Sequence, residues 1–365
     1  MKTFKLFGAA VLGIVLLIVF VIFSCSSRDK KSFSEIQWKQ KVEDTRVEDL
    51  YAPHFKEGRF YTPWMEMGDK SFLDVLGWKL FSKTHYTSEE TDFLPRVTPD
   101  TAERLDQVRG DFILWIGHNT FLIRIDKVYW ITDPVFSKRA LLPARLTPPA
   151  LSLKELNEIV KDLNILISHN HYDHLDRSTM KQLPRDAAVF VPRGLKTYVM
   201  GMDKTNVREL DWWEAVDTGK GSTLICLPAQ HWSMRIGQGR NRSLWAAWLL
   251  KTPKATLYFG GDSGYFKGFR EIGRKYPDID YAFMPITAYH PRWFMQYQHM
   301  NIPEAVKAFE DLGARFFIPT QWGTFHLGSE PAGFPGLDLI RHIRKNNLDL
   351  FRFNIMDVGQ ILPLN

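Results

Sequence analysis

The segment from His169 to His174 contains three of the chain's 11 histidines together with Asp173. A mostly apolar run, Leu163–Ser168, leads directly into this segment and predicts a buried strand. Residues two apart in an extended chain point to the same side, so His169 and His171 can bind one metal ion. After the following turn, Asp173 and His174 can face a second ion. Imidazole and carboxylate ligands together suit zinc, iron or manganese rather than calcium. A polar surface loop is the alternative interpretation.

Other candidate ligands also follow apolar runs. His231 comes after Leu224–Leu227 and is a candidate third ligand of the first ion. Asp262 lies among glycines, where the backbone can turn tightly and the carboxylate can bridge two ions. The alternative is a turn aspartate that caps its own backbone. Asp133 is expected to orient a ligand histidine, unless it belongs only to a turn.

The elements that position these side chains are predicted from Asp111 onward. Strands are predicted at Phe112–Ile116, Phe121–Ile125, Val128–Thr132, Leu163–Ser168, Ala188–Pro192, Thr223–Pro228, Trp245–Leu250, Thr256–Gly260, Tyr281–Pro285 and Phe316–Pro319. Helices are predicted at Leu153–Lys161, Arg177–Leu183, Pro303–Leu312 and Leu337–Asn346. A strand meander followed by strands that alternate with helices predicts an α/β fold with two sheets and helices outside them.

The composition excludes several classes of protein. Of the 365 residues, 45% are hydrophobic and 24% are charged, which is typical of a soluble globular protein and excludes a disordered or polytopic membrane protein. The net charge of +6 is small for this length and no long basic stripe occurs, so no nucleic-acid partner is expected. Cys25 and Cys226 are the only cysteines, which excludes a disulfide scaffold.

The N-terminus has the layout of a secretory signal. Two lysines precede an uncharged apolar run, residues 6–23, whose length is near the minimum for a membrane span. Residues 22–25 (IFSC) resemble a bacterial lipobox, in which the cysteine is lipidated. We therefore expect residues 1–31 to tether the chain to a membrane of the bacterial cell envelope, either through lipidated Cys25 or as an uncleaved anchor.

The metal-ligand motifs, taken together, resemble those of the metallo-β-lactamase fold. Further strings resemble, more narrowly, N-acylphosphatidylethanolamine-hydrolysing phospholipase D and its bacterial relatives, over about residues 106–335. These strings are Trp115–His118 (WIGH), Thr132–Phe136 (TDPVF), His169–Asp176 (HNHYDHLD), Ala229–Trp232 (AQHW), Gly260–Tyr265 (GGDSGY), Tyr289–Met295 (YHPRWFM), Gln298-His299 (QH) and Trp322–Phe325 (WGTF).

This resemblance implies an αββα four-layer sandwich with a site for two zinc ions. Residues 32–105 would form an N-terminal extension packing on the core, and residues 106–365 the hydrolase domain. The implied ligands of the two zinc ions are His169, His171 and His231 for one, Asp173 and His174 for the other, and Asp262 between them.

One ligand position departs from the family. Its remaining zinc ligand is the histidine of an HWGTF string, and in this chain that position is Gln321. A neutral amide is a weaker zinc ligand than imidazole. His326, five residues further on, is the candidate replacement.

The resemblance also implies hydrolysis of N-acylphosphatidylethanolamine to N-acylethanolamine and phosphatidic acid by a zinc-bound hydroxide. Asp173 and His299 are the candidate catalytic residues, Asp173 because it can align the hydroxide or move its proton. Tyr172, Gln298 and His299 match positions that contact the lipid in the family. The expected partners are a phospholipid substrate and a membrane surface, and a homodimer is also envisaged.

Two alternative functions stay open from the sequence. The first is a hydrolase of the same fold that acts on a soluble phosphodiester or a lactone. The second is a non-catalytic lipid-binding protein whose site has decayed through the change at Gln321. A wide apolar groove would favour the phospholipase, a narrow polar cleft the soluble substrate, and a metal-free protein the non-catalytic alternative.

Overall fold

The computed structural model describes residues 33–68, 70–82 and 84–364. The predicted membrane tether, residues 1–31, lies outside them. Within the described ranges, no helix combines the length and the apolar character that crossing a membrane requires.

The described chain alternates short helices with strands of two to six residues. The helices are α1 (Glu35–Glu43), α2 (Phe72–Phe81), α3 (Ser88–Asp92), α4 (Thr101–Asp106), α5 (Leu153–Ile159), α6 (Arg177–Gln182), α7 (Lys196–Met200), α8 (Gly268–Lys275), α9 (Arg292–Met295), α10 (Ile302–Leu312) and α11 (Phe334–Lys345). The strands are β1 (Phe55–Lys56), β2 (Arg59–Phe60), β3 (Phe112–Gly117), β4 (Thr120–Ile125), β5 (Val128–Thr132), β6 (Leu163–Leu166), β7 (Ala188–Pro192), β8 (Asn206–Leu210), β9 (Ala215–Gly219), β10 (Ser222–Leu227), β11 (Met234–Arg235), β12 (Gly239–Arg240), β13 (Ala247–Lys251), β14 (Thr256–Phe259), β15 (Tyr281–Pro285), β16 (Phe316–Thr320) and β17 (Ile361–Pro363).

A seven-stranded mixed sheet has the order β17-β3-β4-β5-β6-β7-β8. Its central strands are buried on both faces because successive side chains alternate between two apolar clusters. In β3, Ile113 and Trp115 join the large central core, whereas Phe112, Leu114 and Ile116 join a second cluster. That second cluster also contains the buried side chains of α5, α6 and α7, so these helices cover the outer face of the sheet.

A six-stranded mixed sheet has the order β16-β15-β14-β13-β10-β9, with β14, β15 and β16 parallel. Its residues share the central core with the inner face of the seven-stranded sheet, so the two sheets pack against each other. Helix α10 contributes Ala305 and Phe309 to the same core and contacts β15. Asn301 caps this helix and Glu304 completes a capping box, which fixes where the helix begins.

The ten predicted strands and four predicted helices are present, with bounds that differ by a few residues. The largest shift is in α11, which begins at Phe334 rather than at Leu337. Strands β8, β9 and β17 were not predicted. β8 and β9 are edge strands with largely exposed residues, and β17 is formed by residues near the C-terminus that pair with β3. None of these three strands has a buried apolar run.

Side chains from residues 33–68 pack against the six-stranded half of the molecule, whereas Leu105 belongs to the second cluster, on the outer face of the seven-stranded sheet. Trp38 and Trp64 are buried in the central core. The indole of Trp38 donates a hydrogen bond to Glu304, and that of Trp64 donates one to Gln230 at 3.0 Å, directly beside the candidate ligand His231. This segment therefore forms one wall next to the candidate site.

The chemistry-bearing residues follow six different strands. Because β3, β5, β6, β10, β14 and β16 all end at the same edge of the sandwich, the loops that follow them meet there. The residues that they carry are His118, Asp133, His169, His231, Asp262 and Gln321.

Candidate metal centre

One group of potential ligands consists of His169, His171, His231 and Asp262, whose ligand atoms all lie within 4.8 Å of one another. His169 Nε2 is 2.8 Å from His171 Nδ1, and His231 Nε2 is 3.2 Å from the same atom. Asp262 Oδ2 is 3.9 Å from His169 Nε2 and 3.7 Å from His231 Nε2. Three imidazole nitrogens and one carboxylate oxygen converging in this way are a donor set that suits a divalent transition metal.

A second group consists of His118, Asp173 and His174. Asp173 Oδ2 is 3.1 Å from His118 Nε2 and 3.3 Å from His174 Nε2. His174 Nε2 is also 3.3 Å from Asp262 Oδ2, so Asp262 lies between the two groups. His118 is a functional candidate that the sequence interpretation did not include among the ligands.

The outer nitrogens of His169, His174 and His231 are held by hydrogen bonds. His174 Nδ1 donates to the buried Asp133 at 2.7 Å, as expected for a carboxylate that orients a ligand histidine. His231 Nδ1 donates to the Gln298 carbonyl at 3.1 Å. His169 Nδ1 is 2.9 Å from the Ser168 hydroxyl, which itself donates to Asp133. The inward-facing nitrogen of each ring is therefore left free to bind a metal ion.

The pKa shifts describe the same donor set. Burial lowers the pKa of His169 and of His231 well below the ordinary imidazole range, and lowers the pKa of His171 to about 4. Burial opposes ionisation of Asp262, but the neighbouring His174 and His231 hold the pKa of this carboxyl well below its usual range. Neutral imidazoles and an ionised carboxylate are the protonation states that bind metal.

His174 differs from the other rings. Although burial disfavours its charged form, Asp262 and Asp173, followed by Asp133, raise the pKa of His174 well above its ordinary value. A buried cluster of carboxylates thus requires a cation, which a proton on His174 provides here. A divalent ion would supply that charge and displace the proton, so the residues fit a metal centre.

The backbone approaches closely behind the ligands. Gly261 has a φ of +56°, and a Cβ atom built there would be 2.6 Å from the Ser168 Cβ. Only glycine fits this position, which brings the loop of Asp262 against the strand end that carries His169. Asp262 Oδ1 is buried without a hydrogen-bond partner among the described residues and is therefore an unused acceptor.

The structure does not place the candidate replacement for the missing histidine in either ligand group. His326 is exposed, whereas the two ligand groups are largely buried, and it belongs to neither group. Gln321 does lie at the centre, since its side-chain nitrogen is 3.4 Å from His174 Nε2 and the residue is fully buried. The carbonyl oxygen of its side chain has no hydrogen-bond partner within the described chain.

The predicted substrate-contacting residues surround the same centre. His299 lies with its ring 5.4 Å from that of His231, and its Nδ1 is buried without a partner in the described part of the chain. The Gln298 side chain instead accepts a hydrogen bond from Lys70 at 2.7 Å. Tyr172 is half-buried, and its ring packs under the Arg235 guanidinium.

Arg235 holds the loop that follows β6. It is buried and donates to the carbonyls of Asn170 and Leu175 at 2.9 and 2.7 Å. These hydrogen bonds from the guanidinium hold the loop that carries His171 and Asp173. Arg235 therefore positions two candidate metal ligands.

Two adjoining cavities lie beside the centre. The first has a volume of about 230 Å³ and is lined by His231, Arg240 and Trp245 among others. The second has a volume of about 400 Å³ and is lined mainly by aromatic and charged residues, including Trp38, Trp293 and Phe294. Glu66, Met67 and Tyr297 line both cavities.

Comparison with known proteins identifies the family. The family model described as "Beta-lactamase superfamily domain" matches residues 129–322, just over half of the chain. "N-acyl-phosphatidylethanolamine-hydrolyzing phospholipase D 1" of Caenorhabditis elegans is 36% identical over 280 residues, which cover 72% of this chain and 78% of that protein. "Outer membrane protein RomA" of Klebsiella pneumoniae is 41% identical over 101 residues, which cover 28% of this chain and 74% of that protein.

Among solved structures, the metallo hydrolase Igni18 of Ignicoccus hospitalis superimposes with a TM-score of 0.55 at 18% identity, covering 70% of this chain and 98% of that one. This likeness concerns the fold alone. The chain belongs to the β-lactamase superfamily and is a homologue of N-acyl-phosphatidylethanolamine-hydrolysing phospholipase D. It is a metal-dependent hydrolase with the metallo-β-lactamase fold, which confirms the predicted family and the α/β fold class.

Proposed function

We propose that this member of the superfamily is a zinc-dependent phospholipase of the D type that hydrolyses N-acylphosphatidylethanolamine to N-acylethanolamine and phosphatidic acid. The relative from Caenorhabditis elegans carries this activity in its name and aligns with 72% of the chain. The observation that carries the proposal is the cavity that opens beside His231 and adjoins a larger, aromatic one.

The chain's own residues would hold two zinc ions. His169, His171 and His231 fit the first ion, Asp173 and His174 fit the second, and Asp262 fits between them. When bound, such ions supply Lewis acidity, which lowers the pKa of a water molecule towards 7 and stabilises charge on a phosphoryl group.

Asp173 and His299 would act directly on the reacting groups. The pKa of Asp173 lies well below its ordinary value because His174 and His118 outweigh the effect of burial, so its carboxylate stays ionised and can accept a hydrogen bond that aligns the attacking water. Burial lowers the pKa of His299 to about 4, so the ring is neutral at neutral pH. Its unpartnered Nδ1 can then bond the phosphate or the acyl amide of the substrate.

The residues that line the two cavities favour a lipid substrate. Arg240 lines the smaller cavity together with His231, which places a cation where an anionic headgroup would enter. Trp38, Trp293 and Phe294 line the larger cavity, where their rings can contact an acyl chain. A soluble phosphodiester or a lactone would use the ligand groups but would have no need of this aromatic extension.

A membrane location would bring the enzyme to this substrate. The proposed tether is residues 1–31, through lipidated Cys25 or an uncleaved anchor, with the bacterial cell envelope as the location. The relative from Klebsiella pneumoniae is named an outer membrane protein. A membrane surface and a phospholipid are then the partners, and a homodimer remains a prediction.

A product assay tests the proposal. The full chain is loaded with zinc and offered mixed micelles of N-acylphosphatidylethanolamine, with and without a chelator. We expect release of N-acylethanolamine and phosphatidic acid that the chelator abolishes, and loss of this release in His231→Ala but not in the exposed control His326→Ala. A folded, zinc-loaded protein that leaves this lipid intact but cleaves a soluble phosphodiester or a lactone would overturn the proposal.

A further inference from the structure

The second metal position has a donor that compensates for the amide at Gln321. His118 lies at the turn between β3 and β4 and is fully buried. Its Nε2 is 3.1 Å from Asp173 Oδ2, within the same group of potential ligands as His174. We infer that His118 is a ligand of the second metal ion and that Gln321 serves this site mainly through its backbone.

The contacts of His118 suit a metal ligand. Its Nδ1 is 3.1 Å from the Gln321 carbonyl oxygen and its Nε2 is 3.1 Å from Asp173 Oδ2, so each ring nitrogen faces an oxygen that accepts. A neutral imidazole carries one proton and can donate to only one of these oxygens. With that proton on Nδ1, a metal ion at Nε2 would satisfy the second contact.

The distances also fit a single ion. Four ligands at the usual zinc distance of about 2.0–2.1 Å are separated by roughly 3.3–3.4 Å along the edges of a tetrahedron. Three separations are 3.1 Å between His118 and Asp173, 3.3 Å between His174 and Asp173, and 3.3 Å between His174 and Asp262. His118, Asp173 and His174 thus offer three donors to the second ion, with Asp262 beside His174, without the Gln321 side chain.

The backbone holds His118 in place for this role. The residue has a φ of +56°, a left-handed conformation that is costly for a histidine. Its N–H donates to the Thr324 hydroxyl at 2.9 Å, and its carbonyl accepts from the Trp115 indole and from the Gln321 N–H. Gln321 thus bonds both the carbonyl and the ring of His118, and these two contacts do not depend on the identity of its side chain.

The inference takes from the proposed function only that the protein binds metal ions. Measurements of metal binding therefore test it independently of catalytic turnover. The zinc content and the affinity of each ion are measured by elemental analysis and by competition with a chromophoric chelator. The variants are His118→Gln, which keeps a side chain of similar size, Gln321→Ala, and the exposed control His326→Ala.

We expect two ions in the wild type, in Gln321→Ala and in His326→Ala. His118→Gln should keep the first ion and bind the second at least about a hundredfold more weakly. Circular dichroism of each metal-free variant checks that it is folded, and His118→Asn provides a second variant should His118→Gln fail this check.

The inference is overturned if the folded His118 variants bind two ions as the wild type does, if Gln321→Ala loses the second ion, or if the wild type binds only one. Failure of the proposed function would be recognised separately, as two ions bound without release of N-acylethanolamine.

Discussion

Replacing Asp133 by asparagine should weaken metal binding, although Asp133 is not itself a proposed metal ligand. Asp133 is fully buried, and its Oδ2 accepts from His174 Nδ1 at 2.7 Å and from the Ser168 hydroxyl at 2.6 Å. Its Oδ1 accepts from the Ser168 N–H at 2.7 Å. An asparagine can keep the contact through Oδ1, but its NH₂ group would then face the N–H of His174.

Two opposed donors force His174 to move its proton from Nδ1 to Nε2, the atom that faces Asp173 and Asp262 at 3.3 Å. The ligand atom is then blocked. Loss of such an orienting partner typically costs 10–100-fold in metal affinity, which corresponds to about 1.4–2.7 kcal/mol. We expect Asp133→Asn to weaken the second ion by this factor and to leave the first ion less affected.

The assay is a competition titration with a chromophoric chelator at neutral pH. Asp126→Asn is a matched control, because Asp126 lies just before β5 and Asp133 lies just after it. Asp126 pairs with Lys254 at 2.9 Å on the surface. A folded Asp133→Asn protein that binds both ions with wild-type affinity would refute the reasoning about the His174 tautomer.

Three further outcomes follow from the structure. Asp211→Asn should lower the free energy of unfolding by about 2 kcal/mol at pH 7, because hydrogen bonds led by that from His54 outweigh burial and lower the pKa of Asp211 to about 2. This contribution is present above the ordinary pKa of 3.8 and is lost as the pH falls towards 2, so urea titrations should show a smaller difference from the wild type at pH 3; a constant difference would contradict the assignment. Gly264→Ala should destabilise by about 1–3 kcal/mol or more, because its Cβ would be 2.0 Å from the Tyr297 carbonyl oxygen, whereas Gly110→Ala has nothing within 4 Å and should be nearly neutral; equal melting temperatures for the two would be the contrary result. Removing metal with a chelator should lower the melting temperature reversibly, because the buried carboxylates lose their cation, and an unchanged melting curve would argue against a bound metal.

The sequence predicted the strands of the core because their apolar runs are nearly continuous. Leu163–Leu166 and Tyr281–Pro285 are buried almost throughout, as expected for central strands. The candidate ligands could also be predicted from the sequence, because they follow such apolar runs. This one rule selected both Asp262 and His231, which are far apart along the chain and which the structure brings into one group of potential ligands.

His118 was missed although it also follows a strand. Its string was recognised only as a resemblance, and a single histidine at a hairpin turn carries no spacing that predicts a metal ligand. Its proximity to Asp173 depends on how the turn after β3 meets the loop after β6, and the local sequence does not predict such a contact between distant segments. The rule that candidate ligands follow strands ending at this edge of the sandwich could have identified His118.

The helices before residue 105 were also not predicted. Helix α3, with five residues, is too short to show a helical period, and α1 and α2 have only weakly amphipathic sequences. The starts of α2 and α3 were nevertheless encoded in capping boxes, Ser71 with Asp74 and Thr87 with Glu90. The burial of Trp38 against Glu304 could not be predicted, because it depends on which surface of the core the segment meets.

Anomalous diffraction from crystals of the zinc-loaded protein tests the central claim most directly. We predict two anomalous peaks in each chain, one among His169, His171 and His231, and one between His118 and Asp173, on either side of Asp262. Absence of both peaks from a protein grown in zinc would contradict the assignment of this site as a metal centre.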